Sequence, residues 1–174
     1  MLIKKFWKFY PSSRDKFYII NKRVEISERK RLSLMKFGKE YFDGDRKHGY
    51  GGYRYNKKFF RKVTKEIIKH YKLTNKSKIL DIGCAKGFMM YEFRNFLPKA
   101  EIWGLDISRY SKINAMPSEK KFIKLGSCHK LPFRSNYFDF IVSISTIHNL
   151  DEKKIPQAIK ELERVKKGDS FIRI

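Results

Sequence analysis

The apolar positions from residue 57 onward follow two spacings, one typical of helices and the other of strands. Apolar residues recur three and four positions apart through residues 57–72 and again after Gly87, which predicts two amphipathic helices. The second helix is expected to end before Pro98, because a proline disfavours helical geometry in the residue that precedes it. Short apolar runs predict five strands, at residues 78–82, 101–107, 121–125, 137–145 and from 170 onward.

Capping residues predict two further helices between these strands. Ser108 is a suitable N-cap for a short helix that runs to about Ala115. Asp151 is a suitable N-cap for a helix with one apolar face, and Gly168 suits the end of that helix. Strands that alternate with helices, without hairpin turns, predict an α/β fold. We therefore expect a Rossmann-like, open parallel sheet of about five strands with helices on both faces.

Residues 1–56 differ from the rest because they are basic and aromatic and show no regular pattern. The segment 43–56 holds four glycines and three tyrosines, which indicates an ordered loop. We predict an N-terminal extension over 1–56 and an α/β domain over 57–174. The loop is either structural or a lid whose Tyr50, Tyr53 and Arg54 contact a substrate, and the residues leave both interpretations open.

The net charge of +23 on 174 residues changes the range of partners to consider. Such a positive field attracts nucleic acid, anionic membrane surfaces or phosphorylated substrates, so RNA is a possible partner. The lysines are, however, spread along the chain, and the frequent Lys, Ile, Asn, Phe and Tyr residues are those of A/T-rich codons. Composition alone therefore leaves the partner open, and it does not indicate an oligomeric state.

The same composition limits the location that we predict for the chain. No apolar run approaches the ~20 residues that span a bilayer, so no transmembrane segment is expected. The first residues lack the uninterrupted apolar stretch of a signal peptide. Two cysteines are fewer than a secreted disulfide scaffold uses. A cytoplasmic protein is therefore predicted.

The sequence DIGCAKG, residues 81–87, stands after the first predicted strand and is similar to a phosphate-binding loop. A Walker A loop needs a lysine and then a serine or threonine after its last glycine, whereas Phe88 and Met89 follow Gly87. A dinucleotide fingerprint needs a different glycine spacing. Asp81 would also repel a phosphate. This loop is therefore better suited to a ligand with a cationic end.

Asp106 makes that interpretation more specific, because it ends the second predicted strand. In a parallel sheet the carboxyl ends of neighbouring strands lie at one edge, where ligands bind. A carboxylate there can accept hydrogen bonds from both hydroxyls of a ribose. A nucleoside that has a positive charge and no phosphate is S-adenosylmethionine, which we predict as the cofactor.

Three segments carry a resemblance to a known family: ILDIGCAKG, IWGLDIS and LPFRSNYFDFIVSISTIHNL. In this order and spacing they resemble the class I S-adenosylmethionine-dependent methyltransferases, over about residues 57–174. The run FGKEYFDGDRKHGYGGYRY is similar to the N-terminal segment of a bacterial subgroup linked to polysaccharide or sugar modification. The family's core has seven strands, so the resemblance implies that residues 57–174 form a C-terminally truncated domain.

The resemblance implies eight cofactor-binding residues: Asp81, Gly83, Ala85, Gly87, Asp106, Ile107, Ser127 and Cys128. The first two would border the methionine end, and the next two would shape the turn beneath it. Asp106 would bind the ribose and Ile107 would pack on the adenine. Ser127 and Cys128 stand where many members have an acid that binds the adenine amine, and here that acid is missing.

His148 follows the fourth predicted strand, where the family's loop faces the transferred methyl group. A neutral imidazole there can take a proton from a substrate hydroxyl or amine, so His148 is the candidate catalytic base. The alternative is that His148 only shapes the loop, because methyl transfer depends largely on alignment and requires no base. No metal site is predicted, since the adjacent Cys128 and His129 are poorly placed to chelate one ion.

We therefore predict an S-adenosylmethionine-dependent methyltransferase that acts on oxygen or nitrogen of a small-molecule acceptor, such as a sugar. The first alternative is an RNA methyltransferase, which the charge favours. The Asn/Asp-Pro-Pro-Tyr/Phe signature of enzymes that methylate base amines is, however, absent, and STIHNL stands in its place. The second alternative is a non-catalytic truncated remnant or a binding subunit.

Overall fold

The computed structural model describes residues 26–173, and from residue 57 onward a helix precedes each strand except the fourth, which follows the third directly. The helices are α1 (Glu28–Leu34), α2 (Lys39–Asp43), α3 (Lys57–His70), α4 (Phe88–Phe96), α5 (Arg109–Ile113) and α6 (Ile155–Val165). The strands are β1 (Lys78–Ile82), β2 (Glu101–Asp106), β3 (Ile123–Leu125), β4 (Phe138–Ile144) and β5 (Lys166–Arg173). Short 3₁₀ turns lie at Arg46–His48, Lys120–Phe122, Ile147–Asn149 and Glu152–Lys154.

The five strands form one parallel sheet in the order β3-β2-β1-β4-β5. The chain fills one side of β1 with β2 and β3 and then crosses to the other side with β4 and β5. The strand order therefore reverses between β1 and β4, and the crevice outside their carboxyl ends is the ligand position of such sheets. The predicted Rossmann-like α/β fold of about five strands is confirmed.

The apolar core lies in two layers, one on each face of the sheet. On one face, α3 and α4 cover residues that include Ile79 of β1 and Val142 of β4. On the other face, α6 covers residues that include Leu80 and Ile82. Because side chains alternate along a strand, Asp81 points to the face that α3 and α4 cover. A carboxylate is thereby placed under the larger apolar layer.

The boundary between α6 and β5 differs from the prediction. The helix was expected to end at Gly168 with a strand from residue 170, but it ends at Val165 and the strand begins at Lys166. Gly168 lies inside β5, where an added Cβ would overlap the carbonyl oxygen of Asp139. The pairing with β4 is also irregular at this point. Close approach of two strands, and not a helix end, is what requires the glycine.

Residues 26–56, which we call the arm, lie across the carboxyl ends of the strands. The carbonyl of Phe37 accepts a hydrogen bond from the Ser108 hydroxyl at 2.5 Å. The ring of Tyr53 stacks on that of Phe88, with 5.1 Å between their centroids. The arm thus supplies the predicted ordered loop, while residues 1–25 of the predicted extension lie outside the described residues. No helix within residues 26–173 has the length and apolar character needed to cross a membrane.

Candidate functional site

The loop after β1 approaches the loop after β4 more closely than a side chain at Gly83 would allow. Gly83 has a φ of 76°, and its N–H donates a hydrogen bond to the carbonyl of Leu105 at 2.8 Å. A Cβ added there would overlap the Thr146 hydroxyl and lie 2.8 Å from its methyl carbon. The hydroxyl of Thr146 in turn donates to the carbonyl of Ile82 at 3.1 Å. The crevice is therefore bordered by bare backbone.

Asp106 joins the loop after β1 to the start of α5. One carboxylate oxygen accepts a hydrogen bond from the N–H of Ala85 at 2.7 Å. The other accepts from the N–H of Ser108 at 2.7 Å and the hydroxyl of Ser111 at 3.2 Å. Burial raises the pKa of Asp106, and these hydrogen bonds oppose the increase. A carboxylate has about four acceptor positions, so about one is left for a ligand.

Asp81 is 6% exposed and has no such partners. Among residues 26–173, no hydrogen bond or ion pair reaches its carboxylate. Burial, with a smaller contribution from the nearby Asp106 charge, raises the pKa of Asp81 to about 7. The site therefore holds a buried acid whose charged form no protein cation stabilises, and a cationic ligand group would favour that charged form.

A cleft of about 680 Å³, including its open mouth, lies between these loops and the arm. It is lined by six of the predicted cofactor residues: Gly83, Ala85, Asp106, Ile107, Ser127 and Cys128. Asp81 and Gly87 lie outside the lining, in β1 and at the start of α4. Asp81 is nevertheless followed at once by Ile82 and Gly83, which both line the cleft. The structure therefore groups most of the predicted cofactor residues around one space.

The rim of the cleft after β3 contains Ser127 and Cys128. The Ser127 hydroxyl lies 2.7 Å from Nδ1 of His129, so it already has one partner. Cys128 is buried, and burial raises the pKa of its thiol. At neutral pH the sulfur is thus protonated, and Cys128 contributes a neutral wall. No acid was predicted at this rim, and neither residue supplies one.

The predicted substrate residues separate into two groups. Tyr50 lines the cleft, and its ring stacks on that of Phe42 with 5.7 Å between centroids. Tyr53 instead packs against Phe88, and Arg54 is exposed outside the cleft lining. Tyr53 is therefore a packing residue of the arm, while contact of Tyr50 with a substrate stays a prediction.

His148 lies beside a second cavity instead of in the cleft. This cavity encloses about 1180 Å³ including its open mouth, and it shares four lining residues with the cleft: Phe37, Tyr41, Asn149 and Leu150. Burial lowers the pKa of His148, so its imidazole is neutral at pH 7. Its role as a base stays a prediction, and the position makes it available to a molecule in the second cavity.

Lys86, which sequence reasoning did not single out, fixes the arm to the loop after β1. Its side chain is 9% exposed, and its Nζ lies 2.7 and 2.8 Å from the two carboxylate oxygens of Asp43. The same nitrogen donates to the carbonyl of Tyr53 at 2.9 Å. Tyr110 donates to Asp43 at 2.6 Å, and this hydrogen bond raises the pKa of Tyr110 to about 12. Burial alone would raise the pKa of Asp43, but Lys86 and Tyr110 lower it.

The loop, the two acids at the strand ends and the strand order agree with one known family. Residues 80–174 match the model of the methyltransferase domain, which is more than half of the chain. The chain belongs to the methyltransferase domain family. The prediction of a class I, S-adenosylmethionine-dependent methyltransferase is therefore confirmed at the level of the family.

Three curated proteins that are similar to this chain are named methyltransferases. An uncharacterised methyltransferase of Schizosaccharomyces pombe is 29% identical over 61% of this chain and 41% of its own length. The tRNA (carboxymethyluridine(34)-5-O)-methyltransferase of Arabidopsis thaliana is 31% identical over 59% of this chain and 24% of its own. The malonyl-acyl-carrier-protein O-methyltransferase of Legionella pneumophila is 30% identical over 60% of this chain and 39% of its own length. The matches thus span less than half the length of each relative.

A solved structure has a similar fold. It is that of a Methanococcus maripaludis protein with the provisional name S-adenosylmethionine-dependent methyltransferase, which has a TM-score of 0.57 to this chain and 23% identity. The superposition covers 65% of this chain and 54% of that protein. At this identity the likeness concerns the fold alone. It supports the five-strand sheet and says nothing of the methyl acceptor.

Proposed function

We propose that the protein transfers the methyl group of S-adenosylmethionine to an oxygen or nitrogen atom of a small-molecule acceptor. The observation that carries this proposal is the buried Asp81, which lacks a cationic partner among the described residues and directly precedes two residues of the cleft. A carboxylate in that position suits the ammonium group of the cofactor and opposes a phosphate. The bare backbone at Gly83 allows a ligand to approach closely.

The residues of the cleft fit the cofactor along its length. Asp81 and Gly83 would hold its methionine end, and the remaining acceptor position of Asp106 would bind the ribose. Ile107 is 59% exposed at the edge of the cleft, which leaves its side chain free to pack on an adenine ring. When bound, the cofactor supplies a methyl group made electrophilic by its sulfonium. The protein then has to align the acceptor and exclude water.

The arm can perform part of that exclusion. Phe37, Tyr41, Phe42 and Tyr50 form an aromatic wall opposite the loops of the sheet. His148 is the proposed base for an acceptor whose reacting atom carries a proton, because its lowered pKa keeps it neutral at pH 7. We also propose a cytoplasmic location. The proposal further includes an N-terminal extension over residues 1–56 and a methyltransferase domain over residues 57–174.

Oxygen is the favoured acceptor atom. Two of the curated relatives are named as O-methyltransferases, and their named acceptors are a tRNA uridine and a malonyl-acyl carrier protein. A sugar hydroxyl would also suit Tyr50, which lines the cleft. We therefore keep a sugar as one proposed acceptor within the wider class of small molecules.

The second candidate function is RNA methylation, and one surface favours it. Helix α3 presents a groove lined by five cations: Lys57, Lys58, Arg61, Lys62 and Lys65. Together with the net charge of +23, this face suits a phosphate backbone. This candidate would be supported if the logarithm of the RNA-binding constant falls steeply and linearly with the logarithm of the salt concentration. Replacing these residues by glutamine should then abolish RNA binding. Binding that is insensitive to those replacements would remove it.

The proposed function is tested by calorimetric titration with S-adenosylmethionine between pH 6 and 8. Because Asp81 has a pKa of about 7 in the free protein, about half of its molecules carry a proton at pH 7, and a bound cation should release it. The expected release is about half a proton per ligand at pH 7, more at pH 6 and less at pH 8. Repeating the titration in buffers of different ionisation enthalpy measures it.

Two variants complete this test. Asp81→Asn should abolish the proton release and weaken binding by at least about tenfold, since a lost charged contact costs about 1.4 kcal/mol or more. Asp106→Ala should weaken binding as well. No binding to the intact protein would leave the non-catalytic alternative, whereas binding with unchanged proton release in Asp81→Asn would remove only the role of this carboxylate.

The role of His148 is tested by the pH dependence of methyl transfer. A base must be unprotonated, so the rate should fall as pH decreases through the lowered pKa of His148. His148→Gln should be slower at pH 8 and should lose this acidic decline, while its affinity for S-adenosylmethionine stays unchanged. A decline that persists in His148→Gln would show that another group is responsible.

A further inference from the structure

We infer that the side-chain amide of Asn149 holds the methyl acceptor by accepting a hydrogen bond from its reacting group, and that this acceptor is an apolar molecule with a hydroxyl or an amine. This inference rests on the proposed function and narrows its substrate class. Asn149 belongs to the turn Ile147–Asn149, which follows β4. It lines both the cofactor cleft and the second cavity, so it stands where a cofactor and an acceptor would meet.

The orientation of this amide follows from its hydrogen bond to the backbone. Nδ2 of Asn149 lies 3.0 Å from the carbonyl oxygen of Ser145, and only the NH₂ end of an amide can donate to a carbonyl. The amide oxygen, Oδ1, is therefore turned away from Ser145. Among residues 26–173, none donates a hydrogen bond to Oδ1. Both acceptor positions of this oxygen are thus available to a ligand.

The backbone that Asn149 holds has an unusual conformation. Ser145 has a φ of 54°, in the left-handed region that residues other than glycine adopt uncommonly. Its N–H donates to the carbonyl of Arg173 at 2.9 Å, and its own carbonyl accepts from Asn149. Such conformations persist where surrounding contacts hold them, and they cluster at ligand sites. The amide of Asn149 is therefore held in place before a ligand binds, which lowers the entropic cost of binding.

The residues around Asn149 indicate the body of the acceptor. The other three residues that line both spaces are Phe37, Tyr41 and Leu150. Two rings and an aliphatic side chain favour contact with apolar surface. Met35, which also lines the second cavity, is 57% exposed, so a ligand would remove further apolar surface from water. An apolar molecule suits this wall, and its hydroxyl or amine would be directed to the amide.

Asn149 would orient the acceptor without taking its proton. The O–H or N–H of the acceptor donates to Oδ1, which leaves a lone pair of the same atom free to form the bond to the methyl carbon. The bond from that carbon to sulfur breaks, and its electron pair stays on sulfur. The proton of the acceptor passes to the proposed base, His148, which lines the second cavity and is neutral at pH 7.

The test uses three uncharged ring compounds of similar size: phenol, aniline and fluorobenzene. The first two carry a hydrogen-bond donor, whereas fluorobenzene has the same ring without one. Each is titrated into the full chain, first alone and then saturated with S-adenosylhomocysteine, and binding is measured from the NMR spectrum of the ligand. Asn149→Leu should weaken phenol and aniline by about threefold to tenfold, because one hydrogen bond is lost, and leave fluorobenzene within about twofold.

Asn114 provides a matched control, because its Nδ2 also donates to the carbonyl four residues earlier, that of Tyr110, at 2.9 Å. It follows α5 directly and lines neither the cleft nor the second cavity. Asn114→Leu should therefore change the affinity for all three compounds by less than about twofold. Asn149→Asp keeps an acceptor oxygen but loses the NH₂ group that contacts Ser145. It should bind phenol and aniline at least as tightly as the native chain, since a charged acceptor strengthens the hydrogen bond.

Four results would overturn the inference. Phenol does not bind the native chain, Asn149→Leu weakens fluorobenzene as much as phenol or weakens neither, Asn114→Leu has the same effect as Asn149→Leu, or Asn149→Asp loses the affinity for phenol. These failures differ from failure of the proposed function, which appears in the separate titration with S-adenosylmethionine. If that titration fails while the ring compounds respond as expected, Asn149 keeps its role in ligand recognition and the methyl-transfer role is lost.

Discussion

The two walls of the cofactor cleft are held in different ways. The wall formed by the sheet is fixed by hydrogen bonds from backbone N–H groups: Gly83 donates to the carbonyl of Leu105, and Ala85 donates to the carboxylate of Asp106. The wall formed by the arm is fixed by side chains: stacked rings and the ion pair of the buried Lys86 with the half-buried Asp43. The sheet wall leaves almost no space for a larger side chain. The arm wall depends on a few contacts that single substitutions can remove.

This difference separates two tasks that the cleft has to perform. The sheet wall carries the glycine loop and the strand-end acids, which lie within the part of the chain that matches the methyltransferase domain. The arm wall carries the aromatic residues Phe37, Tyr41, Phe42 and Tyr50. We therefore expect changes in the sheet wall to affect folding and cofactor binding together. Substitutions in the arm wall should affect the order of the arm and the specificity for the acceptor, while the sheet stays folded.

The largest effect is expected from Gly83→Ala in the sheet wall. An alanine at a φ of 76° costs about 1–2 kcal/mol, and its Cβ would also overlap Thr146. We expect the free energy of unfolding to fall by at least about 3 kcal/mol, and cofactor binding to be lost. Chemical denaturation and calorimetry measure the two effects.

A matched glycine in the arm provides the control. Gly38 has a φ of −86° and nothing within 4 Å of an added Cβ, so Gly38→Ala should change stability by less than about 1 kcal/mol. Adding Thr146→Ala to Gly83→Ala should restore part of the loss, because it removes the hydroxyl and methyl groups that overlap the added Cβ. No recovery in that double variant would show that the overlap is not the cause.

A smaller and more local effect is expected from Asp43→Asn in the arm wall. The substitution leaves the buried ammonium of Lys86 without its carboxylate, at a cost of about 2–3 kcal/mol. Amide hydrogens of residues 26–56 should then exchange faster, while those of β1 and β4 keep their protection. Hydrogen exchange measured by mass spectrometry resolves the two regions.

The double variant Lys86→Met/Asp43→Asn tests whether the loss comes from the unpaired ammonium of Lys86 or from the lost contact between the two side chains. Without the ammonium no buried charge is left unpaired, so this variant should lose less stability than Asp43→Asn alone. Equal acceleration of exchange in β1 and in the arm would contradict the comparison, since it would mean that the two walls unfold as one unit.

The sheet wall could be predicted from sequence because local patterns determine it. The helix predicted over 57–72 is Lys57–His70, and the strand predicted over 78–82 is observed with the same limits. Apolar periodicity specifies such elements, and the parallel order then brings the strand ends together. Six of the eight predicted cofactor residues line one cleft for this reason.

The arm wall could not be predicted because its order comes from tertiary contacts. Nothing local connects Asp43 with Lys86, which are 43 positions apart. Phe37 and Tyr41 occur in a segment without periodicity, so their place in the cleft was not predicted. Gly168 shows the same limit, since a glycine that suits a helix end serves here to let two strands approach.

The smallest effect is expected from Tyr50→Ala, which removes one ring from the arm wall. Tyr50 stacks on Phe42 and also packs edge-on against Tyr41, and such aromatic pairs contribute about 0.5–1.5 kcal/mol. The affinity for S-adenosylhomocysteine should fall about twofold to tenfold, with stability lowered by no more than about 1.5 kcal/mol. Tyr50→Phe keeps the ring and should stay within about twofold. A loss above about a hundredfold in Tyr50→Ala would instead make one arm residue as important as the glycine loop, and the arm would then be part of the cofactor site itself.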